Sequence, residues 1–150
     1  MGGHLNTMRF DGQGRSCLVE QREVTSVEAM PGVAVASLFA TTECPPTPPP
    51  PGRGVFDDNQ LAPGLVHWMV VDLEPYSEDD EPTLATELHW NNTIELFCVL
   101  EGSMNTILGD GALHLHPGDC VAMPGVDHAT RAGPDGARVL SISIGLPPAS

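Results

Sequence analysis

From residue 88 onward the chain is a succession of short β-type runs, at 94–100, 103–108, 112–115, 120–123 and 138–144. The breaks between them read Glu-Gly, Gly-Asp-Gly, Pro-Gly-Asp, Pro-Gly and Gly-Pro-Asp-Gly. Runs this short cannot fill a helix, and glycine and proline at each break reverse the chain. Closely spaced strands of this kind fold as a sandwich, jelly roll or barrel. No segment carries a helical apolar period and no repeat is present. The 150 residues are read as one all-β domain, 1–150, with a core over about 60–146 and a loose, polar, Gly-rich arm over 1–15.

Upstream, 16–21 is a further strand candidate, and 32–40 is apolar enough to be buried on both faces. The segment 64–72 reads as a buried strand with His67 and Met69 on one face and Trp68 and Val70 on the other. Between these, the Pro-rich stretch at 45–51 cannot join a sheet, because proline has no N–H to donate. It reads as a stiff surface loop rather than a ligand for an SH3 or WW domain. Six carboxylates between Asp72 and Glu81 lack the spacing and central glycine of a calcium loop and read as a solvated acidic turn.

Charge narrows the function. Twenty acidic residues face six arginines and no lysine, a formal charge of −14. That balance argues against nucleic-acid and membrane partners. Without lysine there is no Schiff base, no lysine-anchored pyridoxal phosphate and no Walker-type phosphate loop. The cysteines, Cys17, Cys44, Cys98 and Cys120, form no close pair. Cys98 and Cys120 lie in apolar runs and read as inert packing residues. With no apolar stretch of membrane length and no secretory leader pattern, a cytoplasmic location is expected.

The candidate chemistry lies in His89, Asn91 and Glu95, six residues before Gly102, and in His128, which follows Pro117-Gly118-Asp119, the apolar 120–123 and a Pro-Gly turn. On extended backbone His89, Asn91 and Glu95 share a face, continued by Phe97 and Val99 as an apolar wall. His128 is placed to enter the same space. Two imidazoles and a carboxylate can hold iron, zinc, manganese or nickel with positions left open. The same groups without metal suit proton transfer. His67 is a further pocket candidate, although a core or interface role suits it equally, and Arg131 could reach a substrate anion, although solvent exposure is the favoured reading. Trp90 alternates away and reads as packing. His114 and His116, at i and i+2, look like a ligand pair but are read as surface residues, opposite Leu113 and Leu115.

These two halves resemble the two motifs of the cupins. The first has two His one residue apart, then Glu and a later Gly; the second has Pro-Gly-Asp, an apolar strand, a Pro/Gly turn and His. The intervals Glu95 to Gly102 and Gly118 to Pro124 match, and 66–74, 92–94, 99–102 and 138–144 look like small single-domain members. The resemblance implies a double-stranded β-helix barrel, commonly dimeric, with His89, Glu95 and His128 as ligands of one divalent metal. Two departures stand out. Asn91 occupies the place of the second His, and the turn before His128 is one residue short with the family's later Asn absent. They point toward a three-ligand or metal-free site.

The expectation is therefore a small cupin-type homodimer acting on a compact organic molecule of aromatic, polyketide or other secondary-metabolite type. The step would be a dehydration, decarboxylation or proton transfer. His89, Glu95 and His128 would serve as acid, base or ligand, and Asn91 would orient the substrate. The competing readings are an Fe(II) dioxygenase and a non-catalytic binding protein.

Overall fold

Two long bent strands organise the chain. The computed structural model describes residues 3–25, 27–30, 33–35, 38, 54–55, 63–83 and 85–147. Eleven strands are present among them: β1 (His4–Phe10), β2 (Ser16–Glu23), β3 (Val27–Met30), β4 (Val33–Val35), β5 (Gly54–Val55), β6 (Val66–Leu73), β7 (His89–Trp90), β8 (Thr93–Leu108), β9 (Gly111–Leu115), β10 (Cys120–Pro124) and β11 (Ala129–Gly145). The described residues contain no helix, so the all-β expectation holds, and among them no helix is long and apolar enough to cross a membrane.

The main sheet is mixed and seven-stranded, in the order β2-β1-β10-β8-β11-β6 with β9 added on β8, and its path is open at β2 and β6. Strand β8 joins the two runs expected at 94–100 and 103–108 into one, and β11 runs antiparallel along its whole length. Both bend where their register shifts, between Ala132 and Ala137 and again between Arg138 and Val139. Gly102 sits at the bend of β8 with φ +72°, a left-handed conformation that glycine adopts without a steric cost. A Cβ at Gly102 would also collide with the carbonyl oxygen of Gly136. The glycine of the first motif is thus a hinge between two halves of a strand.

The core lies on one face. Met8, Val99, Met104, Leu108, Leu115, Val121, Met123 and Val139 pack there as one cluster, most of them fully buried. Val99 belongs to this core and does not reach the cavity described below, a correction to its expected place on the pocket wall. Alternation still puts it on the face of Glu95 and Phe97, but farther along, where the chain turns at Pro117-Gly118-Asp119. Gly118 there donates to the Val99 carbonyl at 2.9 Å, and Val99 donates to the Asp119 carbonyl at 3.0 Å.

The N-terminal residues are not a loose arm. Strand β1 lies inside the sheet, parallel to β10 and antiparallel to β2. Its buried polar residues, Asn6 and Thr7, are answered. The Asn6 amide donates to the Cys120 carbonyl at 3.2 Å and its oxygen accepts from Gln21 at 2.9 Å, while Leu5 and Met8 enter the apolar clusters. The β1–β2 turn is fastened by Asp11, whose carboxylate accepts from the backbone of Gln13 and Arg15 and from the Arg15 guanidinium. The backbone N–H of Arg15, more than its side chain, holds the Asp11 carboxyl below its usual range.

Strand β6 forms where expected, but at the end of the sheet path. His67, Met69, Val71 and Leu73 face inward, whereas Trp68 is 71% exposed and Val66 64% exposed. Of the apolar run at 32–40, Val33–Val35 forms β4; the Pro-rich stretch at 45–51 lies outside the described residues.

Two expectations follow. Gly102→Ala should lower stability by more than about 2 kcal/mol, the left-handed penalty being compounded by the clash with Gly136; urea denaturation midpoints check it. The second concerns Cys120, paired across strands with Cys98. Burial, with a smaller contribution from Cys98, pushes its thiol from 9.0 up to about 12. A raised acid favours the protonated fold, so its contribution is intact below pH 9 and lost as pH rises toward 12. With no lysine to obscure that range, Cys120→Ala should lose less stability than the parent between pH 8 and pH 11. Equal losses would remove Cys120 from the account.

Candidate functional site

The site is built where three elements meet: β7 with the residues after it, the start of β8, and the turn between β10 and β11. His89 and His128 form an isolated antiparallel bridge. The His89 N–H donates to the His128 carbonyl at 3.0 Å and the His128 N–H donates back to the His89 carbonyl at 2.9 Å. The two halves of the sequence pattern are thereby joined by their backbones, and their imidazole rings lie 4.8 Å apart, tilted by 52°. Neighbouring contacts hold the approach in place. Gly125, at φ +60°, donates to the Thr93 carbonyl at 2.9 Å. The Trp90 indole N–H donates to the Gly125 carbonyl at 3.1 Å, which is the packing role its alternation suggested.

His89, Asn91, Glu95 and His128 are all buried and line one cavity of about 260 Å³. They also touch one another. The Asn91 amide nitrogen donates to Glu95 Oε1 at 3.1 Å, and His128 Nε2 lies 3.3 Å from Glu95 Oε2. Each histidine sets its other nitrogen against a backbone carbonyl, His89 Nδ1 on Glu87 at 3.0 Å and His128 Nδ1 on Val126 at 3.2 Å. A carbonyl only accepts, so both Nδ1 atoms carry hydrogen, and in the neutral rings Nε2 is the basic atom. Phe97 meets the His128 ring edge-on, with centroids 6.5 Å apart.

The remaining wall is mostly apolar. Met69, Val71, Leu73, Met104 and Val139 line it with Phe97, and Ser141, Ser143 and Thr130 add hydroxyls. His67 lines the cavity as expected. The serines were missed by sequence reading. Their signal is the period-two pattern of β11, readable only once its register places Ser143 between His67 on β6 and Glu95 on β8, and Ser141 between Met69 and Phe97.

Arg131 is not in the cavity. Its Nε donates to the Thr86 carbonyl at 3.0 Å, its guanidinium lies 3.5 Å from a Glu87 carboxylate oxygen, and it sits 4.8 Å from the centre of the Tyr76 ring. With His128 and Thr130 facing inward, strand alternation turns Arg131 outward. His114 and His116 are exposed, with rings 4.5 Å apart, as their surface reading required.

For a divalent ion, His89, His128 and Glu95 are the expected ligands. Rings pinned through Nδ1 on carbonyls have the second-shell arrangement that presents Nε2 to a metal. Both Glu95 oxygens are engaged, by Asn91 and His128, and no group of three or more His, Cys, Asp or Glu among the described residues is arranged to hold one. No step below is routed through a metal.

Compared with protein-family models and with curated proteins, the sequence matches none.

Proposed function

We propose that the chain is a small cupin-type protein of double-stranded β-helix architecture, and that it catalyses a lyase or isomerase step on a compact organic molecule by acid/base chemistry. The observation that supports this reading most is the series of contacts Asn91–Glu95–His128, a hydrogen bond followed by a 3.3 Å approach of carboxylate to imidazole, set in the wall of a mostly apolar cavity. A proton lying between a carboxylate and an imidazole at this distance can pass to either. A substrate seated against them can give up or receive that proton while water is kept away.

The roles follow from the contacts. His128, held through Nδ1 by the Val126 carbonyl, exchanges a proton at Nε2 with the substrate or with Glu95. Glu95 stabilises the imidazolium while it exists, and the Asn91 amide keeps the carboxylate turned toward His128. His89, with its ring beside that of His128, is the second basic group at the site. Removal of a proton next to a substrate carbonyl and its return at another carbon gives an isomerisation. Its delivery to a departing hydroxyl gives a dehydration, with water as the product. The apolar walls suit a ring-bearing substrate of aromatic or polyketide type.

The test is solvent exchange. Incubated in D₂O with a panel of enolisable cyclic ketones, the protein should accelerate deuterium uptake by at least one of them, read by mass spectrometry. His128→Ala should lower that rate by at least about 100-fold with an unchanged circular dichroism spectrum. EDTA should leave the rate unchanged. Loss of activity in EDTA would favour the metal-dependent dioxygenase or metal-assisted readings. Binding of panel members without any exchange would favour the non-catalytic one.

The homodimer is also proposed, through the outer face of the sheet. Val66, Trp68 and Val70 are exposed there, next to Leu140 and Ile142 on β11 and Leu96 and Cys98 on β8. These rows are free of charge until Asp72 and Arg138, which pair with each other at 3.3 Å. Two copies of charge −14 can meet favourably only over uncharged ground, and an apolar face of this kind marks an interface. Light scattering should give a dimer for the parent and a monomer for Trp68→Glu; a monomeric parent at 100 μM, a concentration well above a ~1 μM dissociation constant, would exclude this interface.

A further inference from the structure

We infer that the molecule this cavity takes is neutral and elongated, with a carbonyl group at one end and an apolar chain at the other, and that it lies along β11 with its carbonyl oxygen accepting from the Ser143 hydroxyl. The inference rests on the reading of the cavity as the substrate site and adds the direction in which the substrate lies.

It starts from rows of side chains that cross the sheet. Residues directly opposite one another on adjacent antiparallel strands place their Cβ atoms about 4.5–5.5 Å apart on one face. His67, Ser143 and Glu95 form such a row, from β6 through β11 to β8. The next row, two residues along β11, is Met69, Ser141 and Phe97, with serine its single polar member. In the row after that, Val71 and Val139 bring no polar group, and Leu73 continues the wall beyond them. All of these side chains line the cavity. Polarity therefore falls off in one direction, over about 13 Å from the first row to the third.

The Ser143 hydroxyl is open to this space. It has no hydrogen-bond partner among the described residues, and it is not one of the unpaired atoms sealed from solvent, as Asn91 Oδ1 and Thr93 Oγ1 are. Ser143 as a whole is only 4% exposed, and the cavity it lines is the surface it keeps. A nearly buried hydroxyl without a partner gains by donating to a ligand oxygen. Its neighbour across the strands is Glu95, the carboxylate in contact with His128. A carbonyl whose oxygen rests on Ser143 thus brings its adjoining carbon toward the groups that take a proton. When that proton leaves, the electron pair passes to the oxygen, and the hydrogen bond from Ser143 strengthens as the oxygen gains charge. A carboxylate in the same place would lie beside Glu95, with no arginine lining the cavity among the described residues to answer it. The volume of about 260 Å³ lies just below the range of ~300–1,000 Å³ usual for small-molecule sites, so the apolar tail is short.

The probes are the 4-alkylcyclohexanones from methyl to butyl, each titrated calorimetrically into the full chain. Affinity should rise about 3- to 4-fold per added methylene, the worth of one buried CH₂. The analogue 4-(3-hydroxypropyl)cyclohexanone, as long as the butyl compound but polar at its tip, should bind at least about 5-fold more weakly than that compound. Ser143→Ala should weaken every member by roughly 3- to 10-fold, one hydrogen bond, and leave the gain per methylene intact. Val71→Thr, of nearly the same shape, should leave the methyl compound within about 2-fold and weaken the butyl compound by at least about 3-fold. No gain with chain length, equal binding of the hydroxyl-tipped ketone, or no binding of any member overturns the inference. A Ser143→Ala loss that is absent or confined to the long chains overturns the seat of the carbonyl. A Val71→Thr loss equal for methyl and butyl overturns the direction. If a variant does not fold, the series on the parent still decides where the ligand is polar. The readout is binding, so a failed exchange assay beside this pattern sinks the acid/base reading alone, and exchange without this pattern sinks the orientation alone.

Discussion

The reciprocal backbone pair between His89 and His128 is the contact on which the site depends. Each residue donates to and accepts from the other, so two segments far apart in sequence are clamped at one point. The clamp holds main chain, not side chains. It therefore fixes where both imidazoles start without using their ring nitrogens. Those nitrogens are divided cleanly, with Nδ1 on a local carbonyl in each case. The fold specifies the tautomer of each ring before any ligand arrives, which is the pre-organisation that proton transfer needs.

A clamp of two hydrogen bonds is only as good as the frame behind it. That frame is the pairing of β8 and β11, each bent, each contributing to both halves of the molecule. Before the bend β8 carries Glu95 and Phe97 to the cavity; after it, Met104 faces the same cavity and the core. Gly102 makes the bend feasible. A residue that never touches the cavity thus determines whether Glu95 and Met104 see the same space. Strand β1 completes the support by adding a parallel neighbour to β10, which pairs in turn with the segment of β8 that bears Glu95.

How far this was legible in the sequence depends on which kind of order was being read. Period-two alternation placed His89, Asn91 and Glu95 on one face, and glycine-marked turns located the strands, because both are local consequences of backbone geometry. His128 was found through the turn that precedes it. Failures came where tertiary pairing decided. His4, Asn6 and Thr7 look like a solvated arm, yet Asn6 is buried with its amide answered by Cys120 and Gln21. Val99 keeps its predicted face but lies beyond the cavity, since alternation says which side a residue takes and not how far along the sheet the cavity extends. Arg131 was placed by its distance from His128 in sequence, although three steps along a strand reverse the face. Ser141 and Ser143 carry no motif and depend on register, which no single strand encodes.

Asn91 draws these strands together. An imidazole in its place would offer a third ring nitrogen and compete with His128 for Glu95. An amide instead donates to one Glu95 oxygen and leaves the other to His128, so the carboxylate is oriented by a group that does not titrate. On the acid/base reading proposed above, an amide here separates two tasks that a histidine would merge: holding Glu95 in place and exchanging its proton. It also leaves the amide oxygen of Asn91 buried without a hydrogen-bond partner. The cavity beside these groups is lined mainly by methionine, valine, leucine and phenylalanine, so Glu95 and His128 meet in surroundings that add few competing polar groups.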